Sequence, residues 1–184
     1  NLSPLGAEWS YQDARDFCLA AEALGFRWVE EPRYRFDYEG LARLRGEVGV
    51  PIAGGELNQG LHEFQLLLDH ECLDKLQPDV CLAGGTLMAK KVAALCEARS
   101  KGFSPHTWTN GIGLLHNLHL ACGVPNCDIL EYPYEEPGWV PEARDAMLQA
   151  PPRPKDGMLA VPQAPGIGCA LDPDAMERYG TKLA

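Results

Sequence analysis

The chain has 184 residues, 46% of them apolar, which is enough for one domain with a sizeable core. A net charge of −10 argues against a nucleic-acid partner, which needs a basic face, and no apolar run approaches the length of a membrane span. The seven cysteines are odd in number, lack a C-x-x-C pair and sit mostly among apolar neighbours. They are expected to be reduced and mostly buried, which suits a cytoplasmic protein without a structural zinc at Cys122 and Cys127.

Residues 1–9 read as a loop, and Ser10 caps a helix over 11–24. Asp13 stands where a capping box has Glu or Gln, so the match is imperfect. Phe17, Ala21 and Leu24 are the expected buried face of that helix. A strand over 27–30 follows, stopped by Pro32. Asp37 caps a helix over 38–48, with Leu41, Leu44 and Val48 inward. Next come a strand over 50–53, the flexible pair Gly54-Gly55, and a helix over 60–70. A strand over 75–78 leads through Gly84-Gly85 into a helix over 86–100, with Leu87, Val92, Ala94 and Leu95 as its apolar face. Phe103-Ser104 is a strand, 114–122 a helix and Ile129-Leu130 the fifth strand. Residues 132–154 are an excursion rich in Pro, Glu and aromatics, with one short helix near 142–148. A turn at 155–157, a strand over 158–161, a tight loop at 165–168 and a short helix after Asp172 close the chain. The β/α alternation predicts a parallel sheet.

An ionisable side chain ends each apolar strand segment: Glu30, Glu56, Asp79, His106 and Glu131, spaced 23 to 27 residues apart. A β/α unit of a TIM-type barrel needs about 31 residues. The five side chains are therefore expected in one pocket at the carboxyl ends of successive strands. An open parallel sheet is the alternative, but it gathers ligands mainly at one switch point. Glu30 and Glu56 are hard oxygen donors suited to Mg²⁺, while an isolated Glu in either place reads as a surface ion pair. An Asp bonded to a His fixes its tautomer, which makes Asp79 and His106 a candidate proton-transfer pair. Glu131 serves as a hydrogen-bond donor if its surroundings keep it protonated. His62, His70, His116 and His119 read as bystanders on helices.

The runs Val29-Glu30-Glu31-Pro32, Pro51-Ile52-Ala53-Gly54-Gly55-Glu56, Gln77-Pro78-Asp79-Val80, Gly84-Gly85, Pro105-His106, Ile129-Leu130-Glu131, Asp156-Gly157 and Pro165-Gly166-Ile167-Gly168 resemble, in order and spacing, the enolase superfamily. Within it the match is to the mandelate racemase-like subgroup. The resemblance implies an α/β fold: the carboxyl-terminal part of a modified TIM barrel over 1–154, with 155–184 returning toward a capping domain. It implies Mg²⁺ held by three carboxylates, with Glu30 and Glu56 as the second and third. Asp79 and His106 then form the family's dyad, and Glu131 bonds the substrate carboxylate as it becomes an enediolate. Cys81-Leu82-Ala83 follow Asp79 where the muconate-lactonizing subgroup has a Lys. The first metal ligand, a Lys base and the capping domain are expected before Asn1, so the chain reads as part of a longer one.

The implied reaction is removal of a proton α to a carboxylate. The implied substrate is a small carboxylate, with a sugar acid preferred, and the implied assembly is a homo-oligomer. Dehydration is the leading outcome, racemisation or epimerisation the second, and an inactive barrel used as a scaffold the third.

Overall fold

The computed structural model describes residues 9–181. Helix α1 (Tyr11–Ala23) opens with a complete capping box: the Ser10 hydroxyl accepts the Asp13 N–H and the Asp13 carboxylate accepts the Ser10 N–H. The shorter Asp thus closes the box that Glu or Gln usually closes. Strands β1 (Val29–Glu30), β2 (Ile52–Gly54), β3 (Lys75–Leu76) and β4 (Gly102–Phe103) alternate with helices α2 (Tyr38–Glu47), α3 (Gly60–Asp69), α4 (Thr86–Ala98) and α5 (Gly111–Cys122). The strands pair in parallel in chain order. Proline keeps the ladder short. Pro78 and Pro105 lie two residues beyond β3 and β4 and have no N–H to extend it. Its last rungs are Gln77 N–H to Gly54 O at 2.8 Å and Ser104 N–H to Leu76 O at 3.1 Å.

Two expected strands are replaced by looser structure. Segment 127–130 meets the sheet through one bridge, Phe103 with Cys127. The Ser104 hydroxyl, rather than a backbone N–H, donates to the Ile129 carbonyl at 2.8 Å. Among the described residues, 158–161 gain no partner strand. Lys155 and Met158 exchange backbone hydrogen bonds across Asp156 and Gly157, both at positive φ, which makes a tight turn.

The sheet is curled rather than flat. Arg27 precedes β1, at one edge, while Asp128 lies beyond β4, at the other. Asp128 nevertheless pairs with Arg27 and, at 2.7 Å, with Lys75 at the start of β3. Both edges therefore converge at the amino ends of the strands, as in a barrel wall. The helices cover the outer face, where Ile52, Phe64, Leu67, Leu76, Val92 and Phe103 are among the fully enclosed residues of the main core.

The helix faces correct two expectations. In α1 the buried stripe is Ala14, Cys18 and Ala21, while Leu24 is 76% exposed and Phe17 stands edge-on to Trp9. In α4 the stripe is Ala89, Val92, Ala93 and Cys96, and Leu87 is 79% exposed. In both, the smaller residues face the sheet, so the larger ones that carried the periodic signal turn outward. Helix α5 begins three residues before its expected start. Asn110 caps it by accepting the Ile112 and Gly113 N–H groups, a signal obscured by the two glycines. Three cysteines are buried (Cys18, Cys72, Cys96), Cys127 and Cys169 are intermediate, and Cys81 and Cys122 are exposed; all seven are free thiols.

The later part of the chain folds onto α5. Helix α6 (Pro141–Arg144) is followed by a second apolar cluster, in which Leu115, Leu118 and Leu148 pack with Leu159, Val161 and Ile167. Helix α7 (Pro173–Tyr179) is capped by Asp172, whose N–H reaches Met147 O at 2.9 Å. Among the described residues, no helix is long and apolar enough to cross a membrane.

Candidate active site

The two adjacent acids at the end of β1 part where the backbone leaves the strand, at Glu31, which stands at φ +41. Glu30 faces the cleft inside the curled sheet. Glu31 turns outward beneath Leu41, Leu67 and Leu73, where it is 3% exposed. Burial, opposed by the Gly55 N–H and reinforced by Glu56 and Glu30, pushes its carboxyl up to about 7. Glu31 Oε1 accepts the Gly55 N–H at 3.0 Å and so anchors the backbone just before Glu56. Gly55, at φ +108, makes the turn that delivers Glu56 to the cleft. Glu31→Ala leaves that N–H without its acceptor and is expected to cost about 1–3 kcal/mol. Glu31→Gln, which keeps an acceptor of the same reach, should avoid most of that loss. Chemical denaturation of the two variants checks this; equal destabilisation would sink the anchoring role.

Asp79 lies three residues past β3, fully enclosed, and His106 three residues past β4. His106 Nδ1 is 3.0 Å from Asp79 Oδ2. The other Asp79 oxygen accepts the Cys81 N–H at 2.8 Å and the Asn117 amide at 3.4 Å. Burial alone would raise the Asp79 carboxyl, but the hydrogen bonds from His106, Cys81 and Asn117 hold it below its ordinary value. Asp79 is thus an ionised acceptor, so Nδ1 carries the proton that it accepts. Asn117 also donates to the His106 carbonyl at 2.8 Å and accepts the Val80 N–H at 3.3 Å. It ties both members of the pair to α5. A polar residue within the buried Leu114, Leu115, Leu118 face was the sequence signal for it.

His106 Nε2 opens into the cleft, 3.3 Å from Glu56 Oε2 and 3.9 Å from Glu131 Oε2. Burial would lower the imidazole, yet Asp79, Glu131 and Glu56 together raise it. Glu131 accepts the Thr107 N–H at 2.6 Å. Burial raises its carboxyl, Thr107 and His106 oppose that, and Glu30 and Glu56 add to it. This is the direction a hydrogen-bond-donating carboxylic acid requires. All five expected residues line one cleft of about 550 Å³, open to solvent, together with Leu57, Leu82, Trp108 and Thr109. The sequence pattern did not mark Leu57 or Leu82 as cleft residues.

The donors fit Mg²⁺. Glu30 and Glu56 are hard oxygen donors at the ends of neighbouring strands, and Mg²⁺ is held by one or two carboxylates while keeping waters or substrate oxygens. Among the described residues, no group of three His, Cys, Asp or Glu side chains gathers as a ready-made metal cage. The other histidines lie outside this cleft. His70 stacks on Tyr38, His116 Nδ1 is 3.4 Å from the Thr86 hydroxyl and His119 Nε2 is 3.1 Å from Ile167 O.

A family model described as enolase C-terminal domain-like matches residues 5–175. The chain is 28% identical over 163 residues to D-galactarolactone cycloisomerase of Agrobacterium fabrum, which covers 86% of this chain and 43% of that protein. It is 31% identical over 152 residues to D-gluconate dehydratase of Thermoproteus tenax, covering 83% and 30% respectively. The 3,6-anhydro-D-galactonate cycloisomerase structure from Zobellia galactanivorans superimposes with a TM-score of 0.85 at 33% identity, over 95% of this chain and 48% of that one. The chain thus spans less than half the length of these relatives. With the family match running from before α1 into α7, on a curled parallel sheet with helices outside, the chain belongs to the enolase superfamily, as the carboxyl-terminal domain of its mandelate racemase-like branch.

Proposed function

We propose that this chain carries the proton-transfer site of an enzyme that removes a proton α to the carboxylate of an acid sugar, and that dehydration follows. The observation that carries this reading is the Asp79–His106 pair, with Nδ1 held at 3.0 Å and Nε2 open to a cleft shared with Glu30, Glu56 and Glu131. Glu30 and Glu56 would hold Mg²⁺. When bound, the ion stabilises negative charge on the substrate carboxylate.

The chain's own residues do the rest. An α-proton is very weakly acidic, so abstraction needs charge stabilisation and a base fixed within reach. Asp79 holds the Nδ1 proton, which leaves Nε2 to take or give one. Glu131, its carboxyl raised by burial, donates to the substrate oxygen that gains charge as the enediolate forms. In dehydration, His106 then protonates the β-hydroxyl as it departs. Leu57, Leu82 and Trp108 give the same cleft an apolar side beside these groups. The names of the dehydratase and cycloisomerase relatives support an acid-sugar substrate class.

An isomerase outcome is the second reading, favoured by the two cycloisomerases among those relatives. Here too His106 moves the proton, but no hydroxyl is lost. The test is a screen of acid sugars with Mg²⁺, read by α-keto acid formation and by α-deuterium incorporation in D₂O. The proposal expects keto acid to form. Deuterium exchange without keto acid would replace dehydration by isomerisation, and neither signal from the intact protein would sink both.

A further inference from the structure

Gln77 has no part in the chemistry just described, yet it is 5% exposed at the end of β3. Its backbone N–H is spent on Gly54 O at 2.8 Å. Its side-chain Nε2 donates to Glu30 Oε2 at 2.9 Å. That bond crosses from β3 to β1, two strands away, or roughly 10 Å in a parallel sheet. The strand between them ends in Gly54-Gly55, which present no side chain in that path. The amide orientation is dictated by charge: a carboxylate only accepts when ionised, so the NH₂ must face it.

The other half of the amide is unusual. Gln77 Oε1 is buried and has no donor among the described residues. A buried acceptor left unpaired costs stability, because it has given up its water and gained no donor. A glutamine serving only the fold would have both ends satisfied, or would be replaced by an apolar residue of the same shape. Here the single polar contact of the side chain is with one carboxylate at the cleft. Glu31 does comparable work for Glu56, but through the backbone of Gly55.

We infer that Gln77 is a positioning residue for cation binding: it fixes the Glu30 carboxylate in one orientation, with Oε2 held and Oε1 left to the cation. The inference rests on the reading of Glu30 as a ligand. Hydrogen-bonded partners of metal ligands are worth about 10–100-fold in metal affinity.

The test titrates the intact protein with Mn²⁺ alone, as a paramagnetic stand-in for Mg²⁺. Electron paramagnetic resonance reads the affinity and the spectrum of the bound ion. Gln77→Met keeps the length and removes both polar ends; Gln77→Asn keeps the amide but withdraws it by one methylene. Both should bind Mn²⁺ about 10–100-fold more weakly, with an altered bound-ion spectrum. The metal-free melting temperature of Gln77→Met in EDTA should stay level or rise, because the unpaired acceptor is gone. Wild-type affinity and spectrum in both variants would overturn the inference. So would a loss of affinity that merely follows a fall in metal-free stability. Wild-type protein that binds no Mn²⁺, or Glu30→Gln that binds it undiminished, would instead remove Glu30 as a ligand and with it the metal reading.

Discussion

His106→Asn is expected to lower α-proton exchange by about 10²- to 10⁴-fold, the range that a positioned general base or acid contributes. The geometry makes this the most damaging single change at the cleft. Asn cannot reach both Asp79 and the substrate, and no other histidine lines the cleft to replace Nε2. The substitution also removes one of three hydrogen bonds from an enclosed carboxylate. Asp79 keeps those from Cys81 and Asn117, so the fold should survive with a loss of about 1–3 kcal/mol. Asp79→Asn separates the two effects. It leaves the imidazole in place but replaces an ionised acceptor with an amide that can face Nδ1 through either end. The proton on Nδ1 is then no longer fixed, and turnover should fall with little change in substrate affinity. Deuterium exchange at the α-carbon, measured with denaturation curves for both variants, checks the pair. Undiminished exchange in His106→Asn would remove His106 from the mechanism.

The residues legible in the sequence were those whose position follows from strand ends. Glu30, Glu56, Asp79, His106 and Glu131 each terminate an apolar segment, and parallel strands in chain order carry such ends to one side. What stayed hidden depends on contacts across the fold. Asn117 is 37 residues of chain away from Val80 and 38 from Asp79, both of which it braces, and nothing local marks it except polarity within an apolar face. Gln77 lies inside the motif that ends in Asp79, but its partner Glu30 is two strands distant. The expected strand at Ile129-Leu130 dissolved because hydrophobicity says nothing about which backbone groups will be adjacent; the Ser104 hydroxyl occupies the Ile129 carbonyl instead. The helix faces of α1 and α4 failed for a related reason. Periodicity fixes a spacing but not a phase, and close approach to the sheet selected Ala and Cys over Phe and Leu. The two adjacent acids at β1 part for a backbone reason that the sequence does not display: the chain leaves the strand at Glu31, at φ +41, which turns that carboxyl into the wall while Glu30 stays in the cleft.

Glu56→Gln should have small effects on stability without metal and large ones with it. In EDTA the substitution removes one of three carboxylates that face each other across the cleft. Glu30 and Glu56 both push the Glu131 carboxyl upward, which records that crowding. The relief is offset by the weakened contact between residue 56 and His106 Nε2, now 3.3 Å. The net change in metal-free stability should therefore lie within about 1 kcal/mol. Saturating Mg²⁺ reverses the balance. A ligand at 100 times its dissociation constant stabilises the native state by about 2.7 kcal/mol, and that increment belongs only to a protein that can bind it. For a chain of this size it corresponds to a rise of roughly 5–11 °C in melting temperature, at about 2–4 °C per kcal/mol. Wild type should show the rise and Glu56→Gln should lose most of it, because a neutral amide oxygen is a much weaker partner for a hard dication than a carboxylate. Thermal melts with and without Mg²⁺ give all four values. The same metal-dependent rise in both proteins would show that the ion binds elsewhere, and would leave the crowding of Glu30, Glu56 and Glu131 without a cation to balance it.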